Sequence, residues 1–250
     1  IAYKFPPEEQ ATLLEGIKRK ALPEAATRHH RTVLLHERSR AAEAEGAQPQ
    51  ALQLAAKAHG AELGFAPGAV HYAALLRVGG RTKHAARALE ASWRAAPHPD
   101  IAAAWAALFA EETPVEQVKQ ADRLAAANPD HVESHLAQAR AALAARLWGE
   151  ARRHLEALGA KLGDGAAPLS PRVCRMMAEL EEAQHENMAA TRAWLARAAT
   201  TTALDPAWLC GACGGESAAW SAVCPHCRAF ASLAWRVPGG SARLLPPGTR

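Results

Sequence analysis

Ala51-Leu-Gln-Leu-Ala-Ala-Lys-Ala58 and Ala85-Ala-Arg-Ala-Leu-Glu-Ala-Ser92 are the stretches whose reading decides the fold. As a helix, the first puts Ala51, Ala55 and Ala58 on one stripe, and the second puts Ala85, Leu89 and Ser92 on the same stripe thirty-four positions later. Ala151, Leu155 and Leu158 follow about two periods on, then Ala190 with Trp194. Turn signals keep step: Pro67-Gly68, Gly79-Gly80, Pro97-His-Pro99-Asp100, Asn128-Pro129-Asp130, Gly149, and Pro168 with Pro171.

A period near thirty-four, with a small-then-large stripe and a following proline, is the pattern of tetratricopeptide (TPR) repeats. The small residue lets the two helices of a pair approach, and the large one fills the groove beside it. One pair cannot bury its own apolar face, so several must stack. The expected pairs are 28–64, 68–96, 100–127, 130–161 and 170–200. The third is irregular: Val115, Val118, Ala121 and Leu124 form a stripe outside the repeat's register, and Leu162-Gly163-Asp164-Gly165 lengthens the gap before the last pair. An ordinary alanine-rich bundle is the competing architecture. In the last pair, Val173, Cys174, Met177 and Leu180 form the buried stripe of the first helix, with Cys174 as a core thiol. Ala193, Trp194 and Ala198 continue it on the second helix.

Composition agrees. Of 250 residues, 49% are hydrophobic but only 5% aromatic, and alanine favours helices over strands. The net charge of +4 is below that of a dedicated nucleic-acid binder. Basic residues nevertheless crowd the first forty positions: Lys18, Arg19, Lys20, Arg28, Arg31, Arg38 and Arg40. They form either a solvated helical face or a face for phosphate, anionic lipid or an acidic partner. No run of eighteen apolar residues occurs.

Four of the five cysteines fall in one C-x2-C-x10-C-x2-C arrangement: Cys210, Cys213, Cys224 and Cys227. Each C-x2-C turn can aim two sulfurs at one point, and two facing turns make a four-thiolate metal site, structural zinc being the expected occupant and rubredoxin-like iron the rival. A full cysteine set leaves no ligand position for water, so the site is expected to be structural. The module from Trp208 to Trp235 holds three of the seven tryptophans and is too small for a core of its own. They are expected to cover the metal cluster and dock it onto the last helices. His226 is expected to point away from the metal, and Arg228 to take a turn position that favours glycine. The Cys224-Pro225 pair also fits the short pattern by which some proteins bind heme, but the metal turn explains it better. No phosphate loop or Gly-x-Ser-x-Gly appears, and His29, His30 and His36 form no His-x3-His face with a carboxylate, so no catalytic residues are expected.

The expected organisation is therefore an all-α, TPR-like solenoid closed by a small zinc-ribbon or rubredoxin-like module. A lead helix occupies 1–27, the repeats 28–204, the ribbon 205–238 and a disordered tail 239–250. The concave face of the repeats is expected to take a protein partner.

The stretches Ala85–Trp93 with Pro97-His-Pro99-Asp100, Asn128–Ser134, Arg172–His185, Trp194–Ala198 and Asp205-Pro-Ala-Trp208 carry a resemblance, as does the Trp-Arg-Val-Pro ending at Pro238. Together they resemble the HemY-type heme-biosynthesis-associated TPR proteins of Proteobacteria, over roughly residues 28–238. The resemblance implies a protein at the cytoplasmic face of the bacterial inner membrane, with partners in heme (porphyrin) synthesis. The implied N-terminal membrane helices are missing from this chain, which opens at Ile1 as though cut from something longer. The part list is also similar to that of LapB-type adaptors of lipopolysaccharide assembly, which join a membrane anchor, TPR repeats and a four-cysteine module that helps recruit a protease. Nucleic-acid binding by the ribbon (Arg228, Arg236, Arg243, Arg250) and electron transfer through iron are the remaining readings.

Overall fold

A computed structural model describes residues 24–160 and 168–239. The lead helix expected before Glu24, the glycine-rich gap at 161–167 and the tail from 240 onward lie outside the described residues. Among the described residues ten helices run in chain order: α1 (Glu24–Ala44), α2 (Gln48–Ala61), α3 (Ala66–Val78), α4 (Thr82–Ala95), α5 (Pro99–Leu108), α6 (Pro114–Ala125), α7 (Val132–Ala144), α8 (Trp148–Ala160), α9 (Pro171–His185) and α10 (Met188–Thr200). Three short strands follow: β1 (Ala207–Cys210), β2 (Glu216–Ser217) and β3 (Leu233–Arg236). The expected boundary at 27/28 falls inside α1.

The thirty-four-residue step is built into the turns between paired helices. Gly46 and Gly80, thirty-four residues apart, both adopt positive φ, at 78° and 70°. At each, the next amide reaches back over the helix end: Ala47 N–H to the Ala42 carbonyl and Arg81 N–H to the Leu76 carbonyl, both 2.8 Å. This is the Schellman closure, which satisfies carbonyls the helix itself leaves open. The same closure recurs at Arg146 (φ 57°), with Leu147 N–H on the Ala142 carbonyl at 2.8 Å. Here the sequence misleads: Gly149 looks like the turn but lies in the first turn of α8, and an arginine takes the left-handed position.

Helix starts have equally local causes. Proline stands in the first turn of α2, α3, α5, α6 and α9, where its missing N–H costs nothing. Thr113 and Glu116 form a capping box at α6. That box, instead of a left-handed turn, links α5 to α6 and explains why the third pair departs from the repeat's register. Two histidines cap by a shared device: His98 Nδ1 accepts the Asp100 amide and His131 Nδ1 accepts the Glu133 amide, each at 3.1 Å. Asn128 closes the end of α4, donating to the Trp93 carbonyl at 2.7 Å and the Arg94 carbonyl at 3.2 Å.

The predicted stripes are buried. Ala51, Ala55, Ala58, Ala85, Leu89, Ser92, Ala151, Leu155 and Leu158 all lie in the interior, as do Val173, Cys174, Met177 and Leu180. On α10 the inward face is Thr191, Trp194 and Ala198, while the expected Ala193 is exposed.

The described residues fall into two compact units. One joins the described residues of Ile1–Arg81 with those of Pro206–Arg250; the other is Thr82–Asp205. The boundary runs through the Gly79-Gly80-Arg81 turn, inside the pair expected at 68–96. Within the first unit α1 packs on α2 and α2 on α3 around Ala42, Ala51, Leu54, Ala55 and Leu75. Within the second, α7–α10 enclose a core of Leu136, Leu143, Leu155, Met177 and Leu180. There, Glu133 of α7 is buried and paired with Arg172 of α9, whose amide also donates to Asp205.

Equivalent turn positions should respond oppositely to substitution. Gly80→Ala is expected to destabilise by about 1 kcal/mol and Arg146→Gly to stabilise by about 0.5–1 kcal/mol, read as shifts of the urea midpoint at constant slope. The caps also predict a pH dependence. Burial, partly offset by Asp100 and reinforced by Arg172, holds His98 down at about 4. The folded state thus keeps His98 neutral while the unfolded chain protonates near the ordinary 6.5. Its contribution is complete above about pH 6.5 and is lost as pH falls toward 4. Melting temperature should fall across that window, and His98→Asn, which keeps the capping acceptor without titrating, should flatten the fall.

Candidate metal centre

The ribbon is a three-stranded sheet in the order β2-β1-β3, both pairings antiparallel. Cys210 ends β1, opposite Leu233. From there two turns of matching design carry the four cysteines. In the first, Gly214 N–H donates to the Cys210 carbonyl and Cys210 N–H to the Gly215 carbonyl, both at 2.9 Å. In the second, Arg228 N–H donates to the Cys224 carbonyl at 3.0 Å and Cys224 N–H to the Ala229 carbonyl at 2.9 Å. The fourth residue after each leading cysteine is left-handed: Gly214 at φ 74° and Arg228 at φ 65°. Backbone amides also approach sulfur, Ala212 N–H to Cys210 Sγ at 3.3 Å and Gly215 N–H to Cys213 Sγ at 3.4 Å.

The two turns face each other. Cys210 Sγ lies 3.6 Å from Cys227 Sγ, Cys213 Sγ 3.8 Å from Cys224 Sγ, and all four sulfurs fall within 4.8 Å of one another. Metal–sulfur bonds of about 2.3 Å in tetrahedral array place sulfurs about 3.8 Å apart, so the residues present fit a four-thiolate metal ion. Their acid–base behaviour points the same way. Burial would raise the Cys210 thiol, but the Ser232 hydroxyl and the turn amides outweigh it and bring it to about 6. At Cys227 the Ala229 backbone pulls down, yet desolvation and the other three sulfurs push it up to about 12. Four thiolates in this space need a cation among them. Cys210 and Cys224 are buried; Cys213 and Cys227 face solvent.

Around the sulfurs the tryptophans do two jobs. Trp208 and Trp235 stand opposite each other on β1 and β3, with ring centroids 5.4 Å apart. With Leu233 and Trp220 they pack over Cys210 and Cys224. Trp220, in the ten-residue spacer between the cysteine pairs, also reaches the helices. Its ring meets Phe65 at 5.0 Å and His36 at 5.2 Å, both edge-on. Val33, Phe65 and Ala222 are buried together there, with Trp220, Phe230 and Ala231 packed against them. The clasp is therefore docked on α1 and the start of α3, near the beginning of the described residues, and not on the last helices as the order of the sequence suggests. The apolar spacer residues needed a complementary aromatic pocket, and Val33, His36 and Phe65 provide it more than a hundred and fifty positions away.

His226 takes no part in the sulfur set. Its Nε2 lies 2.9 Å from the Glu216 carbonyl, and its ring lies on Gly215, where an added Cβ would come within 2.7 Å of it. Cys174 is a wholly buried core thiol, its proton donated toward the Leu169 carbonyl at 3.9 Å.

The fold also brings together Ser39, His71 and Glu43, residue types that serve nucleophilic catalysis when accessible. Ser39 Oγ is 2.8 Å from His71 Nε2, and His71 Nδ1 is 3.8 Å from the Glu43 carboxylate. Ser39 is wholly buried and donates its proton to the Ala51 carbonyl at 2.7 Å. It ties α1 to α2 and presents no nucleophile. Of the basic residues near the start, Arg28, Arg31 and Arg38 line a groove beside α2 and Arg40 pairs with Glu37; Lys18, Arg19 and Lys20 lie outside the described residues, as do Arg243 and Arg250. No described helix is long and apolar enough to cross a membrane.

No protein-family model matches the chain. Among curated proteins it is 34% identical over 244 residues to probable magnetosome protein Mms48 of Magnetospirillum gryphiswaldense, a match covering 96% of this chain and 52% of that protein. The chain thus spans about half the length of the curated relative it matches. Solved structures similar to it include YrrB, described as a TPR protein with an unusual peptide-binding site (13% identity, 76% of this chain and 91% of that one, TM-score 0.37). A MamA double mutant (10% identity, 68% and 93%, TM-score 0.38) and PilF of Pseudomonas aeruginosa (12% identity, 75% and 80%, TM-score 0.40) are similar to the same degree. Likenesses this loose carry no functional argument. The chain is an all-α, TPR-like array of helix pairs followed by a four-cysteine ribbon able to hold a metal ion.

Removing one ligand should loosen more than the ribbon. Cys213→Ser is expected to lower the melting temperature by roughly 5–10 °C, from about 2–3 kcal/mol of lost metal stabilisation, and to shift tryptophan emission as Trp220 leaves its pocket. An unchanged melt would show that the metal does not hold this end.

Proposed function

We propose that this chain is a non-enzymatic scaffold that holds protein partners on the exposed face of its helix pairs, with zinc in the four-cysteine clasp. The observation that carries this reading is where the chemically capable groups stand. The sulfur set is complete without water or substrate, its tryptophans are committed to packing, and Ser39, the hydroxyl beside His71, is wholly buried and bonded to the Ala51 carbonyl. What remains exposed is helix surface, the part of a repeat protein that recognises other proteins.

For the setting, the similarity to a magnetosome protein supports a magnetosome-associated role. It runs at 34% identity over 96% of the chain. Association with heme biosynthesis at the cytoplasmic face of the inner membrane, or with a LapB-like adaptor role, rests on the family resemblances of short motifs and on a membrane anchor that would lie outside this chain. We place these settings second.

The test uses the whole chain as bait in a lysate of its source. The wild-type chain should capture a protein that a control bait of similar size and charge does not. Failure to capture any protein overturns the scaffold reading. Metal analysis of the same sample should give one zinc per chain; a red protein that bleaches on reduction would replace zinc by iron and restore electron transfer.

A further inference from the structure

The basic crowding near the start of the sequence resolves into a built groove. Arg28, Arg31, Leu35 and Arg38 stand three, four and three residues apart and so share one face of α1. Gln53, Leu54, Lys57 and Ala61 face them from α2, and the two stripes line a cavity of about 920 Å³. Its floor is apolar, with Leu54 buried and Leu35 half-buried. Its rim is cationic. Glu24 is the one carboxylate among the lining residues, and it lies 3.5 Å from Arg28.

This arrangement differs from how the second unit treats its arginines. There Arg123 is paired with Glu90, Arg152 with Glu181 and Arg172 with Glu133. Arg31, Arg38 and Lys57 make no ion pair with any described residue and converge on one concavity. Like charges held around a shared space repel, and an anion between them relieves that repulsion. A stacking surface for another repeat would be apolar, since stacked repeats bury a continuous core, so this rim does not suit one.

We propose that the α1–α2 groove is the docking site for an acidic amphipathic helix of a partner protein. The inference rests on the scaffold reading and names the chemistry of the partner. The groove runs beside α1 from Arg28 to Arg38, ten residues or about 15 Å, the length of about three helical turns of a ligand. One apolar stripe on the ligand meets Leu35 and Leu54; carboxylates on both sides meet Arg31, Arg38 and Lys57. A concave site with an apolar floor does not fit a flat bilayer, and a nucleic-acid backbone gains nothing from the leucines.

The experiment measures binding of the full chain to a fluorescent synthetic helix of about fourteen residues, with leucines at i, i+3 and i+7 and glutamates beside them. Arg31→Glu with Arg38→Glu should weaken binding on the order of tenfold at unchanged melting temperature, and Glu→Gln in the peptide should do the same. About 0.5 M salt should weaken it several-fold. If the reversed charges lower the melting temperature, Arg31→Gln with Arg38→Gln gives the same reading. Equal binding by either variant pair, or stronger uptake of phosphatidylserine vesicles or single-stranded DNA than of the peptide, overturns the proposal. If the partner captured from lysate stays bound to the Arg31→Glu, Arg38→Glu variant, the groove assignment falls while the scaffold reading stands. If nothing is captured, the scaffold reading falls and the peptide alone decides the groove.

Discussion

Trp220 belongs to two cores at once. On one side it packs over the buried cysteines of the ribbon, and on the other it fills the pocket made by Val33, His36 and Phe65. The first unit is closed by this contact between segments more than a hundred and fifty positions apart in sequence. Closing so long a loop has an entropic cost that grows only slowly with length, and the packing of Trp220, Ala222 and Phe230 against Val33 and Phe65 works against it. The ribbon in turn has few apolar residues of its own, so its sulfur cluster, the tryptophan pocket, α1 and the start of α3 pack as one assembly.

The same unit shows how polar groups are fitted into an alanine-rich interior. Small alanines bring helices close enough for side chains to bridge backbones, as Ser39 does to the Ala51 carbonyl. Histidines take part as neutral groups. Burial, with His71 and Arg40 beside it, holds His36 at about 3, so it presents an uncharged ring edge to Phe65 and Trp220. In the second unit His98 and His131 serve as helix caps through Nδ1, a role that also requires the neutral form. The twelve histidines of this chain include several that are structural fittings and not solvated surface.

Local order was legible in the residues. The thirty-four-residue step, the proline entries and the small-large stripes mark the helix pairs other than the third, which shows itself by turn signals and an off-register stripe, because each follows from backbone rules acting over a few positions. Errors were local too. Gly149 drew the eye to the wrong turn because the left-handed position was held by Arg146, which carries no turn signal in its identity. Ala193 reads as inward because it adjoins Trp194, yet the inward helical step from Trp194 runs to Thr191 and Ala198. The cysteine spacing revealed the sulfur set, and the match between the Gly214 and Arg228 turns shows why: each C-x2-C turn is a self-contained hydrogen-bonded unit.

The sequence by itself determined the helices, their pairing step and the four clustered cysteines, since all depend on contacts between residues close along the chain. Only the tertiary structure decided where the clasp goes. Nothing in Trp220 or Phe230 names a destination, and neighbours in sequence made the last helices the natural guess. The pocket that receives them is assembled from α1 and the start of α3, and its shape exists only once those helices have packed. The pairing state of the arginines had the same origin: Arg31 and Arg38 read like any other surface charges until the fold set them facing α2 around a shared groove with no carboxylate opposite.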